Sequence, residues 1–212
     1  MKSLKYSKKA FSLTELLVIL SIIGVIATIV IPMVVIKIQD GYLRESFKNN
    51  YYILGRAVDR VIDDKGGTLV GAFTTDTDFG NGFLNYMNPI KNCGDTITSC
   101  WHTASGWKYL DGTTAGILPP GTKAILNNGS LIVIDLLSSS CTDITYGPEV
   151  CGDIIVDVNG FKGPNVVGRD IYDMWILRNG IIPLGGMNDG QYCNSTSDGF
   201  GCAAKVIINQ DY

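Results

Sequence analysis

The sequence predicts an α+β protein in which one long N-terminal helix packs on a β-rich, antiparallel, disulfide-stapled globular head. Three observations carry that prediction. Residues 16–36 form an apolar run without a charge, residues 43–61 carry an apolar stripe at helical spacing, and residues 66–212 hold 22 of the 25 glycines and all six cysteines among short strand-like segments. The chain has 212 residues, 46% hydrophobic and 17% charged, against roughly 25% charged in an average soluble domain. That composition excludes a wholly disordered chain. The formal charge of −3 hides an asymmetry: Lys2, Lys5, Lys8 and Lys9 stand in the first ten residues without an acid, and the remainder carries 13 basic against 20 acidic residues. The body therefore lacks a basic nucleic-acid footprint, and no nucleic acid is implied as a partner. His102 is the single histidine, which excludes any metal site built on two imidazoles.

The run LLVILSIIGVIATIVIPMVVI, residues 16–36, spans roughly 31 Å as a helix, the thickness of a bilayer's hydrocarbon core. Twenty-one such residues exceed what an ordinary domain buries on all faces of a core helix. The lysines precede the run and the acidic bulk follows it, so the N-terminus is expected in the cytoplasm and the head outside. A secretory signal peptide would have a shorter apolar stretch, of about 7 to 15 residues. Val25 and Ala27 could serve as the small residues before a cut, but cutting there would leave the apolar tail Thr28 to Ile36 on the exported chain. Two anchor readings remain: a plain bitopic tether, and a segment that first anchors the chain and later packs against copies of itself. Glu15, at the edge of the run, discriminates between them. An acid there calls for a partner, and a cut between Ala10 and Phe11 would create an amine one helical turn away, on the same or a neighbouring molecule.

Lys8-Lys9-Ala10-Phe11-Ser12-Leu13-Thr14-Glu15-Leu16-Leu17, followed by the apolar run with Gly24 and Pro32, resembles the cleavage and methylation motif of the type IV pilin and pseudopilin family over about the first 35 residues. The resemblance implies a leader of residues 1–10 removed by a membrane-embedded prepilin peptidase between Ala10 and Phe11, with methylation of the Phe11 amine. It further implies that Glu15 neutralises the Phe11 amine of a neighbouring subunit, and that Pro32 kinks the helix. Ala10 stands where the family usually has glycine. Gly24 and Pro32 both weaken a helix locally, so the segment is expected to bend or partly unwind in a filament.

Beyond Ile36, residues Leu43, Phe47, Tyr51, Leu54, Val58 and Val61 recur at steps of three and four, which reads as the core-facing stripe of an amphipathic helix. Charged residues occupy the other faces and Lys65-Gly66-Gly67 supplies a stop. One helix is predicted from about Ser12 to about Lys65, its filament-core half over 11–36 and its amphipathic half over 37–65. In the head, Asn128-Gly129 separates Lys123–Leu126 from Leu131–Ile134, and Asn179-Gly180 separates Ile171–Leu177 from Ile181-Ile182. Both fit tight hairpins. With Ile154–Val158, a meander of about four to six strands is expected, and residues 66–121 are left without an assignment.

The cysteines fall as Cys93/Cys100, Cys141/Cys151 and Cys193/Cys202. An even count outside the cytoplasm reads as disulfides, and the three sequential pairs are favoured among the possible connectivities because short loops close at low entropic cost. The resemblance agrees for Cys193 and Cys202, since many pilins carry a disulfide loop near the C-terminus. The segment Asp157 to Asp170 is also similar to one recurrent in pilin-like heads. Asp157, Asn159 and Asp170 are its candidate Ca²⁺ ligands by chemistry, but the spacing is not an EF-hand's. The preferred reading makes Asn159, Gly160 and Gly163 turn residues and the two carboxylates loop braces, so no cofactor is expected.

No GxSxG occurs, and Gly116 to Lys123 (GILPPGTK) only mimics a phosphate loop, with Thr and Lys inverted and two prolines removing N–H donors. An enzyme is not expected. The sequence instead implies a structural subunit held first in a bacterial inner membrane and then assembled into a periplasmic or surface filament. Its expected partners are copies of itself or related pilins, the prepilin peptidase/methyltransferase, the inner-membrane assembly platform and, before assembly, lipid. The alternative is a monomeric bitopic protein whose head binds or hydrolyses a ligand outside the membrane.

Overall fold

The computed structural model describes residues 12–142, 149–186, 192–210 and 212. The chain forms two units, one up to Gly41 and one over Tyr42–Tyr212. Helix α1, Leu13–Asp64, is a single helical span to which both contribute.

In the second unit, α1 buries Leu43, Phe47, Leu54, Val58 and Val61, with Asn50, Ala57 and Ile62 beside them. Tyr51 of the expected stripe is half-buried. Phe47 stacks on Tyr172 with ring centroids 4.1 Å apart. The buried polar residue Asn50 is satisfied: its Nδ2 donates to the Ser46 carbonyl and its Oδ1 accepts from Asn128 Nδ2 at 3.1 Å, which offsets the cost of burying an amide. The helix ends where Gly66 and Gly67 turn with positive φ, and the Gly67 N–H closes on the Ile62 carbonyl.

The stripe packs against a six-stranded sheet: β1 Lys91–Gly94, β2 Thr122–Ile125, β3 Leu131–Leu136, β4 Val150–Asp157, β5 Ile171–Leu177 and β6 Gly180–Pro183. The strands lie in chain order and every neighbour is antiparallel. Period-two alternation divides the strand residues between two faces. Ile132, Ile134, Ile154, Val156, Tyr172, Met174 and Ile176 join the α1 stripe in one core, while Leu131, Val133, Ile155 and Ile171 join a second core with Trp101 and Trp107.

Two expectations need correcting. The strand pair around Asn128-Gly129 turns as expected, with the Leu126 N–H bonded to the Ser130 carbonyl, but the β5–β6 hairpin turns on Arg178-Asn179. Gly180 already pairs with Leu177, so the glycine belongs to the strand. The head is also less purely β than its turn signals suggest. Helix α2, Asp76–Met87, lies in the unassigned stretch, and a short α3, Cys202–Ile207, begins at the last cysteine. Thr75 caps α2: its Oγ1 accepts the Asp78 N–H and donates to the Asp78 carboxylate, a reciprocal cap of the kind that stabilises helix starts. Phe79, Phe83, Leu84 and Met87 then turn one face of α2 into the core.

The disulfides join Cys93–Cys100, Cys141–Cys151 and Cys193–Cys202, each closing a short loop. The chain's end is held to α1, where the Arg44 guanidinium lies 4.8 Å from the centroid of the Tyr212 ring and Lys48 Nζ donates to Asn209 Oδ1.

Candidate assembly surface on the first helix

The sequence points first to the N-terminal half of α1. The leader, the cleavage position Ala10/Phe11 and the methylated amine of Phe11 lie outside the described residues. From Ser12 onward the helix begins with a capping box. The Glu15 N–H donates to Ser12 Oγ at 3.2 Å, and Glu15 Oε2 accepts from the Ser12 N–H at 2.8 Å and from Ser12 Oγ at 2.9 Å. The first-turn N–H groups of a helix have no intrahelical partner, and Ser-x-x-Glu supplies one from each end. Glu15 is thus not the lone acid that the sequence implies. Within its own chain it already has donors, and an amine at position 11 would join that set rather than fill a void. The signal was present in Ser12-Leu13-Thr14-Glu15 as a capping box, read there only for its charge.

Downstream, the large apolar side chains from Leu13 to Ile38 are each between 42% and 77% exposed. This is the one helix among the described residues long and apolar enough to cross a membrane, and none of that stretch is buried within the chain. Two of its polar side chains are satisfied within the helix: Ser21 Oγ donates to the Val18 carbonyl and Thr28 Oγ1 to the Val25 carbonyl, at 2.8 and 2.7 Å. Such back-bonding lets hydroxyls sit among apolar side chains or lipid without stranded hydrogens. Gly24 and Pro32 both lie inside the helical span. A Cβ added at Gly24 would meet no other atom within 4 Å.

In the head, Asp157 and Asp170 are fully buried. Asp157 Oδ2 lies 2.8 Å from His102 Nε2 and its Oδ1 accepts the Asn159 N–H, while Asp170 accepts the N–H groups of Asn165 and Val166 at 2.8 and 2.7 Å. Asn159 Nδ2 donates to the Gly163 carbonyl. These carboxylates hold a loop by charge-assisted hydrogen bonds. Among the described residues no group of three or more histidines, cysteines or acids is placed to hold a metal ion. Burial pushes Asp157 up to about 6, the largest influence on it, against the lowering effect of the His102 hydrogen bond. The His102–Asp157 pair, 55 residues apart in sequence, had no sequence signal, because only the strand register brings the two together.

The same holds for Asp135, Asp153 and Asp173, which sequence reading passes over as single acids in strand-like segments. Register places Asp135 opposite Asp153, and Ile155 opposite Asp173. All three therefore fall on the sheet face turned away from α1.

Comparison with known proteins bears on the N-terminus. Residues 5–31 match the family model of the prokaryotic N-terminal methylation motif. The chain carries the type IV pilin and pseudopilin signature. No curated protein and no solved structure matches the chain. The matched residues take in Ser12, Glu15 and Gly24 and end one residue before Pro32. The pilin-type signature and the unburied apolar helix therefore coincide, and together they support a pilin-like or pseudopilin subunit.

Proposed function

We propose that this protein is a structural subunit, pilin or pseudopilin, that waits in the inner membrane and is then drawn into a helical filament. The observation that carries this reading is an apolar helix with its large side chains exposed, beginning inside a methylation motif. In a bilayer that surface is solvated by lipid; in a filament it packs on copies of itself or related subunits. Lipid tails and leucines are equally apolar, so the exchange brings little hydrophobic gain. Van der Waals packing and polar pairs must set the register.

Glu15 supplies such a pair. Cleavage between Ala10 and Phe11 by the prepilin peptidase exposes an amine, methylation retains its positive charge, and Glu15 of one subunit accepts it from the next. Because Glu15 also caps its own helix, the intermolecular contact adds a donor to a carboxylate that is already oriented. A softened helix at Gly24 and Pro32 lets the apolar half adjust to neighbours. The reading is structural rather than catalytic, and it places the head outside the inner membrane.

Mass spectrometry of the native N-terminus tests the reading. N-methyl-Phe11 as the first residue is the expected result. An intact Met1 on the mature, membrane-extracted chain would overturn it in favour of a bitopic monomer.

A further inference from the structure

The sheet face turned away from α1 holds a cavity of about 550 Å³. Its floor is a row across three adjacent strands, Asp135 of β3, Asp153 of β4 and Trp175 of β5, each directly opposite the next. Its walls come from segments to which the filament reading gives no role. The proline-rich loop before β2 contributes Ile117 and Pro119, and the loop closed by Cys193–Cys202 contributes Phe200 and Asp198. Trp107 closes one side.

The cavity's charge is one-sided. Asp135, Asp153, Asp173 and Asp198 line it, and no lysine, arginine or histidine does so among the described residues. Lys123, whose charge acts on Asp135, directs its Nζ to the Gly121 and Asp95 carbonyls. Like charges directly opposite in an antiparallel ladder are destabilising, and Asp135 and Asp153 are such a pair. Asp135 has a partner in Asp76, the two carboxyls sharing a hydrogen bond. Asp153 is less well provided: its Oδ1 is buried and has no hydrogen-bond partner among the described residues. A buried acceptor left in that state calls for a donor from a bound molecule. An anion is excluded by the four acids. A cation compensates the crowded carboxylates and gains the aromatic faces as well.

We propose that this cavity binds an organic cation, an ammonium or guanidinium on an apolar shaft, with the charged end at Asp153 and the shaft against Trp175 and Trp107. Lysine side chains and free diamines share that chemistry. The site does not depend on the filament reading, and a monomeric head would present it equally.

Burial, with the Asp135 charge adding to it, pushes Asp153 up to about 8. Without a ligand Asp153 is therefore largely protonated at neutral pH, and a bound cation displaces that proton. Binding should strengthen as pH rises. The ionisable groups around Asp153 among the described residues are Asp135 on β3, Asp76 on α2, Asp173 on β5, Tyr192 just before the disulfide loop, Asp198 within it and Lys123 on β2.

The test uses the full chain in detergent micelles, titrated with cadaverine, with N-acetyl-lysine amide and with 1,5-pentanediol as the neutral control, read by tryptophan fluorescence and by calorimetry. Saturable binding of an amine, proton release on binding, no response to the diol and a roughly tenfold or greater weakening in Asp153→Asn are expected, the size of one lost charge-assisted contact. Tighter binding of cadaverine identifies a free diamine as the occupant, and equal or tighter binding of the lysine amide identifies a protein side chain. An unchanged or raised melting temperature shows that Asp153→Asn still folds. No saturation by either amine, equal binding of the diol, or unchanged affinity in folded Asp153→Asn would overturn the proposal.

Discussion

At Asp157, Asp135 and Asp153 the fold holds acids where the charged form is disfavoured. Burial is the first cause at each, and it pushes Asp157 and Asp135 to about 6 and Asp153 to about 8. The sign of the effect on stability follows from linkage. A carboxyl whose folded pKa lies above its unfolded value binds more protons in the folded state, so its contribution is fully present below about pH 4 and is lost as pH rises through the folded pKa. Asp135 and Asp157 lose theirs by about pH 6, and Asp153 continues to about pH 8. Urea midpoints measured across a pH series should therefore fall between pH 6 and 8 with a slope of at most about 1.4 kcal/mol per pH unit for one proton. Asp153→Asn, which keeps the shape and cannot ionise, should remove most of that slope and be more stable than the parent at the alkaline end. If the mutant and parent curves run parallel, Asp153 titrates normally. None of this was legible from the sequence. Asp135 and Asp153 sit in strand-like segments as ordinary exceptions to an apolar pattern, and Asp157 reads there as a loop brace without its histidine partner. Only pairing of β3 with β4, and the approach of His102, shows which neighbours they meet.

Among the elements, α1 was readable and α2 was not, for opposite reasons. The second half of α1 keeps apolar residues at steps of three and four with charges between them, so its core face is written in the spacing. Helix α2 has twelve residues and two glycines, Gly80 and Gly82, each of which lowers helix propensity by about 1 kcal/mol relative to alanine. The compensating cues, the Thr75-x-x-Asp78 cap and the Phe79/Phe83 spacing, were there but short. Packing explains the Gly80 choice: a Cβ at that position would sit 2.3 Å from the Thr122 side chain, so α2 lies as close to β2 as only glycine permits. Gly80→Ala should improve the isolated helix yet cost the folded head about 1–3 kcal/mol by overpacking. Gly24→Ala, with open space around it, should leave head stability unchanged. On α1 the contrast is between Phe47, buried and stacked on Tyr172, and Ile26, exposed at 55%. Phe47→Ala should cost about 3–5 kcal/mol, while Ile26→Ala should not move the unfolding of the head. Chemical denaturation of full-length variants in micelles, followed by tryptophan fluorescence, checks all four, because the three tryptophans lie in the head.

For the whole molecule, the division at Gly41 separates two solvation problems. The large apolar side chains before it are exposed, whereas the stripe after it, from Leu43 onward, is buried with the sheet. That division was legible because charge and spacing change together beyond Ile36. The cavity was not, because its floor and walls come from segments scattered between Trp107 and Gly201. Stability and membrane affinity should then be separable. The core of Tyr42–Tyr212 is built from that unit's own residues, and its three disulfides lie wholly within it. A chain beginning at Tyr42 should therefore stay in the aqueous phase of a detergent phase-separation assay, where the full-length protein enters the detergent phase. It should also unfold in one cooperative transition, at a urea midpoint close to that of the full chain. Reduction should destabilise both to the same extent, since cross-links in a small domain act mainly on its unfolded chain and are worth about 2–4 kcal/mol each. A truncated chain that aggregates or melts far below the parent would mean that the apolar half of α1 supports the head as well as anchoring it. Its exposed surface could not then be exchanged freely between lipid and filament.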